Sequence, residues 1–305
     1  MHVTDAPFVD AHMHLWDLRR LRYPWLAPPF SDEGPNGNVG AIANDYLPED
    51  YLRDLASWNL VGAVHVQAGT DPADALAETE WLETLAQRHG IPSAIVAFAD
   101  LTSPDLESHL GRQAASPLVR GIRHIANWHA DADKTYTASD PLGDPAWRRG
   151  YARLADFGLS FDLQIDPGQM LEAARLAAAN RDIPVIVNHT GMPLDRNSAG
   201  LARWRDGMRA LAQLDHVSVK LSGLGLVDHA WTTQSISPFI LETIELFGTG
   251  RCMVASDAPT DKLFAPLDRV MTAHAEILAG FNGDERRDMF GRNAARIYRL
   301  NINSI

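Results

Sequence analysis

The chain has 305 residues, of which 46% are hydrophobic and 22% charged, which excludes a disordered or fibrous protein. Its 39 acidic against 27 basic residues give a net charge of −12, which repels phosphate backbones and anionic lipids, so neither nucleic acid nor membrane is an expected partner. Cys252, the single cysteine, cannot form an internal disulfide and reads as a buried thiol; no apolar segment nears the roughly 18 residues of a membrane helix and no leader pattern opens the chain, so the expected compartment is the cytoplasm.

Eight short runs rich in apolar and β-branched residues read as strands, at 8–16, 60–68, 94–101, 119–126, 160–166, 184–190, 216–221 and 252–257. Most are nearly continuous in apolar residues, as strands buried on both faces of a parallel sheet are. Between them the period becomes helical: Leu82, Leu85 and Ala86 share a face, as do Leu201, Trp204, Met208 and Leu211, and Ile240, Ile244 and Phe247. Ser103-Pro104 and Asp166-Pro167 read as helix starts, and Gly90, Gly158 and Gly248 as helix stops.

Eight strand-then-helix units in this length predict an α/β fold, one (β/α)8 TIM barrel over residues 1–305. An open doubly wound sheet seldom needs eight strands, and no Gly-x-Gly-x-x-Gly follows the first strand. The long irregular stretches, 17–50, 127–140, 191–199 and 223–237, each follow a strand. They therefore gather at the C-terminal mouth of the barrel, where they can serve as lids or substrate walls.

Polar residues where an apolar run stops are then the candidates for chemistry. His12 and His14 are two apart on the first strand, so both imidazoles point to one face, here the barrel interior, and can chelate one divalent cation. Zinc suits such nitrogen ligands. With twelve histidines in the chain a chance His-x-His is common, but His189 ends the sixth strand and Asp257 the eighth, beside the first in a closed barrel. All four could share one pocket. Arg123 and His124 follow the fourth strand, so one of them should face inward, towards a carboxylate, hydroxyl or oxyanion of a substrate or into a salt bridge. Gln164 and Lys220 end the fifth and seventh strands and could bond substrate oxygens, and Lys220 could equally neutralise carboxylates. Trp16, Trp25, Trp128 and Trp231 lie in or beside the mouth loops, where they either stack on a sugar face or anchor loops. His65 reads as a core histidine, and Asp131, Asp133 and Asp140 as a solvated loop.

Over almost its whole length the chain resembles the amidohydrolase superfamily, in particular its TIM-barrel lactonases acting on sugar lactones and pyrone dicarboxylate. The resemblance is carried, in order, by 9–17 (Val-Asp-Ala-His-Met-His-Leu-Trp-Asp), 23–26 (Tyr-Pro-Trp-Leu), 119–124 (Val-Arg-Gly-Ile-Arg-His), 161–164 (Phe-Asp-Leu-Gln), 188–191 (Asn-His-Thr-Gly), 219–223 (Val-Lys-Leu-Ser-Gly), 251–257 (Arg-Cys-Met-Val-Ala-Ser-Asp) and 290–296 (Phe-Gly-Arg-Asn-Ala-Ala-Arg). It implies that His12 and His14 are the first-strand metal pair, that Asp257, and His189 as a further candidate, complete the metal set, and that Asp257 handles the proton of the attacking water. Many members hold two metals through a bridging lysine or glutamate on the fourth strand and a histidine on the fifth. Here those strands end in Arg123-His124 and Gln164, which points to a single divalent metal or none; members of the branch differ in whether they need one.

The implied reaction is hydrolysis of a lactone, a sugar 1,4- or 1,5-lactone, with Asp257 as base and the oxyanion stabilised by metal or by His189 and Arg123. His124, Gln164, Trp25, Trp128 and Lys220 are the expected substrate contacts. The alternatives are metal-dependent decarboxylation of an aromatic or pyrone acid and a non-catalytic ligand-binding barrel, in which the four strand-end groups would be separated by packing residues. A small molecule is the expected partner, and a homo-oligomer is left open.

Overall fold

In a computed structural model, which describes residues 6–302, the eight runs form one parallel sheet ordered β1 to β8 along the chain. The strands are β1 Phe8–Met13, β2 Leu60–Val66, β3 Ala94–Ala97, β4 Val119–Ile122, β5 Ser160–Leu163, β6 Val185–Val187, β7 Val217–Leu221 and β8 Cys252–Val254. The seam between β8 and β1 closes through His14 N to Ala258 O (2.7 Å) and Asp257 N to His12 O (2.9 Å). Every strand except β7 stops short of its apolar run, because the final residues leave the ladder and turn into the mouth.

The helices are α1 Pro48–Asp54, α2 Ala75–His89, α3 Leu106–Ala114, α4 Pro145–Ala152, α5 Met170–Ala179, α6 Ser198–Ala212, the short α7 Leu224–Val227, α8 Thr233–Phe247, α9 Leu267–Ile277, α10 Gly283–Arg287 and α11 Asn293–Ile297. They cover the barrel with the apolar faces read from the sequence: Leu82, Trp204, Met208, Leu211 and Ile240 are all buried. Gly90, Gly158 and Gly248 end their helices with positive φ. Asp166 caps the turn leading into α5, its carboxylate accepting from Gly168 N at 2.7 Å. Ser103 differs from expectation: its hydroxyl accepts from Asp105 N (3.2 Å) and shapes the preceding turn, while α3 starts at Leu106 without a side-chain cap. The irregular stretches 17–50 and 223–237 also hold more structure than expected, since α1 begins at Pro48 and α7 and the start of α8 lie within the second.

The barrel interior has an apolar lower half, made by Val9, Ala11, Val64, Val66, Ala94, Val96, Ile186, Met253 and Ala255 and closed from below by Tyr298 just after α11. Cys252 is buried on the outer side of β8, among the residues under the helices, and its thiol is pushed up by burial. A bulge in β1 then sets the site. Asp10 pairs with Ala63 and Met13 with His65, so three steps on β1 match two on β2. Val9 and Ala11 face inward below the bulge, and His12 and His14 face inward above it. A regular strand would have sent one of these pairs outward.

Candidate active site

Asp257 sits just past β8 at φ 52°, a left-handed conformation unusual for a residue with a side chain. Its carboxylate meets three imidazoles: Oδ1 lies 3.5 Å from His12 Nε2 and 3.5 Å from His14 Nε2, and Oδ2 lies 4.0 Å from His189 Nδ1. All four side chains are buried.

The surrounding shell fixes each ring. The Val66 carbonyl accepts from His14 Nδ1 at 2.7 Å; a carbonyl only accepts, so the ring proton is on Nδ1 and the Nε2 lone pair faces Asp257. Lys220, paired with Asp162 (2.5 Å), reaches His12 Nδ1 at 3.3 Å from below. Donation from that ammonium leaves the His12 proton on Nε2. His189 follows β6 in a turn where His189, Thr190 and Met192 all have positive φ, pinned from α6 by Trp204 Nε1 to Thr190 O at 2.9 Å. Its Nδ1 contacts Ser222 Oγ at 3.2 Å. Gly223 makes room for the ring: a Cβ there would fall 2.4 Å from His189 Nδ1.

Asp10, on the outer side of β1, ties the seam together by accepting from Ser256 N (2.9 Å), Ser256 Oγ, Tyr51 OH (2.9 Å) and His12 N (3.1 Å). One carboxylate thereby holds both the first-strand histidine and the residue before Asp257.

Burial dominates the electrostatics. It lowers His12 well below its ordinary value, His14 to about 3 and His189 to about 4, so all three rings are neutral near pH 7. It also raises Asp257, against the opposing pull of His189, Arg123 and Lys220. A carboxylate raised towards working pH is better matched to taking a proton from water than an ordinary exposed one.

The cluster floors a cavity of about 250 Å³ walled by Trp25, Arg123, Gln164, Leu226, Asn36, Tyr136 and Thr260 among others. Arg123 donates to Gln164 Oε1 (3.0 Å) and to the Gln67 carbonyl (2.6 Å), which fixes its guanidinium in the wall. Trp25 is held there by Nε1 to Ala68 O at 2.8 Å.

Three expected substrate contacts lie elsewhere. His124 alternates away from Arg123, accepts from Leu101 N (3.2 Å) and packs by Phe98 and Trp147, outside the lining. Trp128 is 36% exposed on its loop and is likewise not in the lining. Lys220 is fully buried below His12, where it neutralises Asp162. Trp16 and Trp231 are buried anchors, and His65 is a core histidine bonded to Leu15 O at 3.2 Å. Asp133, from the stretch expected to be only solvated, accepts from Gly34 N at 3.1 Å and links two mouth loops.

Sequence reading missed Asp10, Gln67, Asn36, Tyr136, Thr260 and Ser222. Asp10 and Gln67 carried a signal, a polar residue inside or ending an apolar run. Asn36 and Tyr136 carried none, because they lie far inside loops.

His12, His14 and Asp257 form the one group of three potential metal-ligating side chains among the described residues, with ligand atoms all within 4.8 Å of one another. Two buried atoms there lack partners, His12 Nε2 and Asp257 Oδ2. Such atoms are costly to leave unpaired, and a cation would relieve both. The donor set fits one divalent ion, with a proton leaving the His12–Lys220 pair when His12 binds.

A parallel eight-stranded barrel with buried histidines and one carboxylate at its C-terminal mouth is the architecture of a metal-assisted or acid–base barrel hydrolase. Residues 9–300 match the family model described as amidohydrolase, and the chain belongs to that family. It is 42% identical to the uncharacterized protein y4mH of Sinorhizobium fredii, over 98% of this chain and all of that one. It is 30% identical to an L-fucono-1,5-lactonase of Burkholderia multivorans, over 96% of each chain. Among solved structures, an amidohydrolase from Burkholderia multivorans with bound zinc aligns at TM-score 0.80 and 27% identity, covering 97% of this chain and all of that one. The chain is thus similar to lactonase-type hydrolases. No helix among the described residues is long and apolar enough to cross a membrane.

Proposed function

We propose that the protein is a lactonase that opens a sugar 1,4- or 1,5-lactone, with Asp257 as general base. The observation that carries this reading is the buried, raised Asp257 carboxylate, with Oδ2 unpartnered, at the floor of a cavity whose wall holds a fixed guanidinium. The 30% identical lactonase supports the substrate class. One guanidinium, Arg123, set against the Asp257 carboxylate in an otherwise apolar and neutral lining suits an uncharged lactone better than a dianion.

In this mechanism Asp257 takes a proton from water as the water oxygen bonds to the ring carbonyl carbon. Arg123, whose Nε has no protein partner, and His189 stabilise the oxyanion. The ring C–O bond then breaks, and the leaving oxygen recovers the proton from Asp257. The carboxylic acid product ionises and releases one proton. A divalent ion, zinc by its donor set, would be held by His12, His14 and Asp257 and would supply Lewis-acid polarisation of the carbonyl. Gln164 and Trp25 bind and orient the ring, and the loops exclude bulk water.

A lactone panel in a weakly buffered pH indicator, with and without chelator, tests this reading. One proton released per turnover is the expected result, with activity lost to chelator and restored by zinc. Carbon dioxide with proton uptake from an aromatic or pyrone acid would make the protein a decarboxylase, and no turnover of any lactone would overturn the proposal.

A further inference from the structure

Two mouth loops meet over the cavity. Tyr136, from the loop after β4, donates its phenol proton to Asn36 Oδ1, from the loop after β1, at 2.6 Å. The loops are fastened a second time by Gly34 N to Asp133 Oδ1 at 3.1 Å. The Tyr136 side is further braced by Lys134 to Asp195 (2.8 Å) and by Tyr136 N to Asn127 O (3.1 Å). Asn36 and Tyr136 line both the inner cavity and a second cavity of about 350 Å³ outside it. With Trp25, which also lines both, the pair forms the partition between the reaction chamber and its vestibule.

A phenol has one proton and two lone pairs. With its proton committed to Asn36, Tyr136 can meet a ligand only as an acceptor. Burial, and next the Asp257 charge, hold the phenol above its ordinary value, so it stays neutral and keeps that proton. Arg123 and the Gln164 amide nitrogen supply donors on their part of the wall, because Gln164 Oε1 is already taken by Arg123. The chamber thus offers donors for a carbonyl and, at Tyr136, an acceptor that a hydroxyl satisfies and a carboxylate does not.

We propose that the Asn36–Tyr136 pair is a specificity determinant that accepts a hydrogen bond from a ring hydroxyl of the lactone and disfavours lactones carrying a carboxylate at that place. The inference rests on the lactonase reading and names which lactones the site takes. Sites built to bond a hydroxyl discriminate strongly against ligands lacking it, because a buried polar group is then left unpaired.

The test compares wild type, Tyr136→Phe and Asn36→Ala on a panel of aldono-1,5-lactones, on unsubstituted δ-valerolactone and on a carboxylated lactone. Tyr136→Phe should lower the preference for aldonolactone over δ-valerolactone about tenfold, mainly through KM. Asn36→Ala frees the phenol proton and should narrow the gap between hydroxylated and carboxylated lactones. An unchanged preference ratio in Tyr136→Phe overturns the inference while leaving the lactonase reading intact. If wild type turns over no lactone, the lactonase reading fails, and titrating the intrinsic tryptophan fluorescence, to which Trp25 in the same chamber contributes, with aldonolactones still decides the pair's role. Equal affinity of wild type and Tyr136→Phe would then overturn it.

Discussion

The lower and upper halves of the barrel interior come from the same eight strands a few residues apart, yet they obey opposite rules. Below, Val9, Val64, Val66, Val96, Ile186 and Met253 fill the space with apolar surface, each buried side chain contributing about 1.5–3 kcal/mol. Above, His12, His14, Arg123, His189 and Asp257 are buried with unpartnered atoms on His12, Arg123 and Asp257. Four residues of that half, His189, Thr190, Met192 and Asp257, have positive φ. Such strain costs on the order of 1–3 kcal/mol per residue and persists only where the surroundings fix it. Between the halves lies a polar layer: Asp162 accepts from Lys220, Asn188 (3.1 Å) and Tyr298 (3.0 Å). Within the interior, apolar packing lies below this layer and the reactive groups above it, so substitutions in the two halves should fail in different ways.

The sharpest break in that comparison is Asp257→Asn, which removes the base but keeps the shape. Turnover should fall about 10²–10⁴-fold in the indicator assay, with thermal unfolding little changed. Near-normal turnover would remove Asp257 from the mechanism. Next comes the dividing layer. Lys220→Met strands the Asp162 carboxylate in the interior and should cost about 3–5 kcal/mol in denaturant unfolding. Adding Asp162→Asn should recover much of that loss; a double variant as unstable as the single one would show that the pair is not coupled.

Acid separates the halves more gently. His14 and His189 fold with pKa values near 3 and 4, below the unfolded value near 6.5, so the unfolded state binds more protons in that window. Their contribution is complete above about pH 6.5 and is lost, at up to about 1.4 kcal/mol per pH unit for each ring, as pH falls. Asp10 and Glu78, raised to about 6 and about 7 by burial, oppose this, as do Asp166, Asp257 and Asp261, which burial also raises, because protonation relieves them. With His12, His65, His109, His124 and His274 also lowered, the histidines outnumber them and should win. The unfolding midpoint should therefore drop between pH 6.5 and 4, and a flat profile would contradict the buried neutral rings. The smallest expected effect is in the lower half. Ile186→Val should cost about 0.5–1.5 kcal/mol of stability and leave turnover intact, and altered kinetics would mean that the dividing layer transmits packing changes upward.

The eight strands were legible because strands buried on both faces must be apolar, and the helices because each buries a single stripe, as Trp204, Met208 and Leu211 do. The floor of the site was legible for a related reason: a histidine or carboxylate ending an apolar run is costly to bury, so its presence marks a place with a task. The walls were not. Trp128, expected as a substrate contact, stays partly exposed, while Asn36 and Tyr136, unremarkable in sequence, meet across the mouth.

The sequence by itself determined the barrel, the order of its strands and the candidacy of His12, His14, His189 and Asp257, because hydrophobic period and polar strand ends are local properties of the chain. Only the tertiary structure decided that a bulge turns both first-strand histidines inward, that Lys220 lies under the site rather than in it, that His124 faces away, and that two distant loops close on each other through two hydrogen bonds. Those outcomes depend on register and on loop packing, which are set by contacts between residues tens to hundreds of positions apart and leave no periodic trace in the sequence.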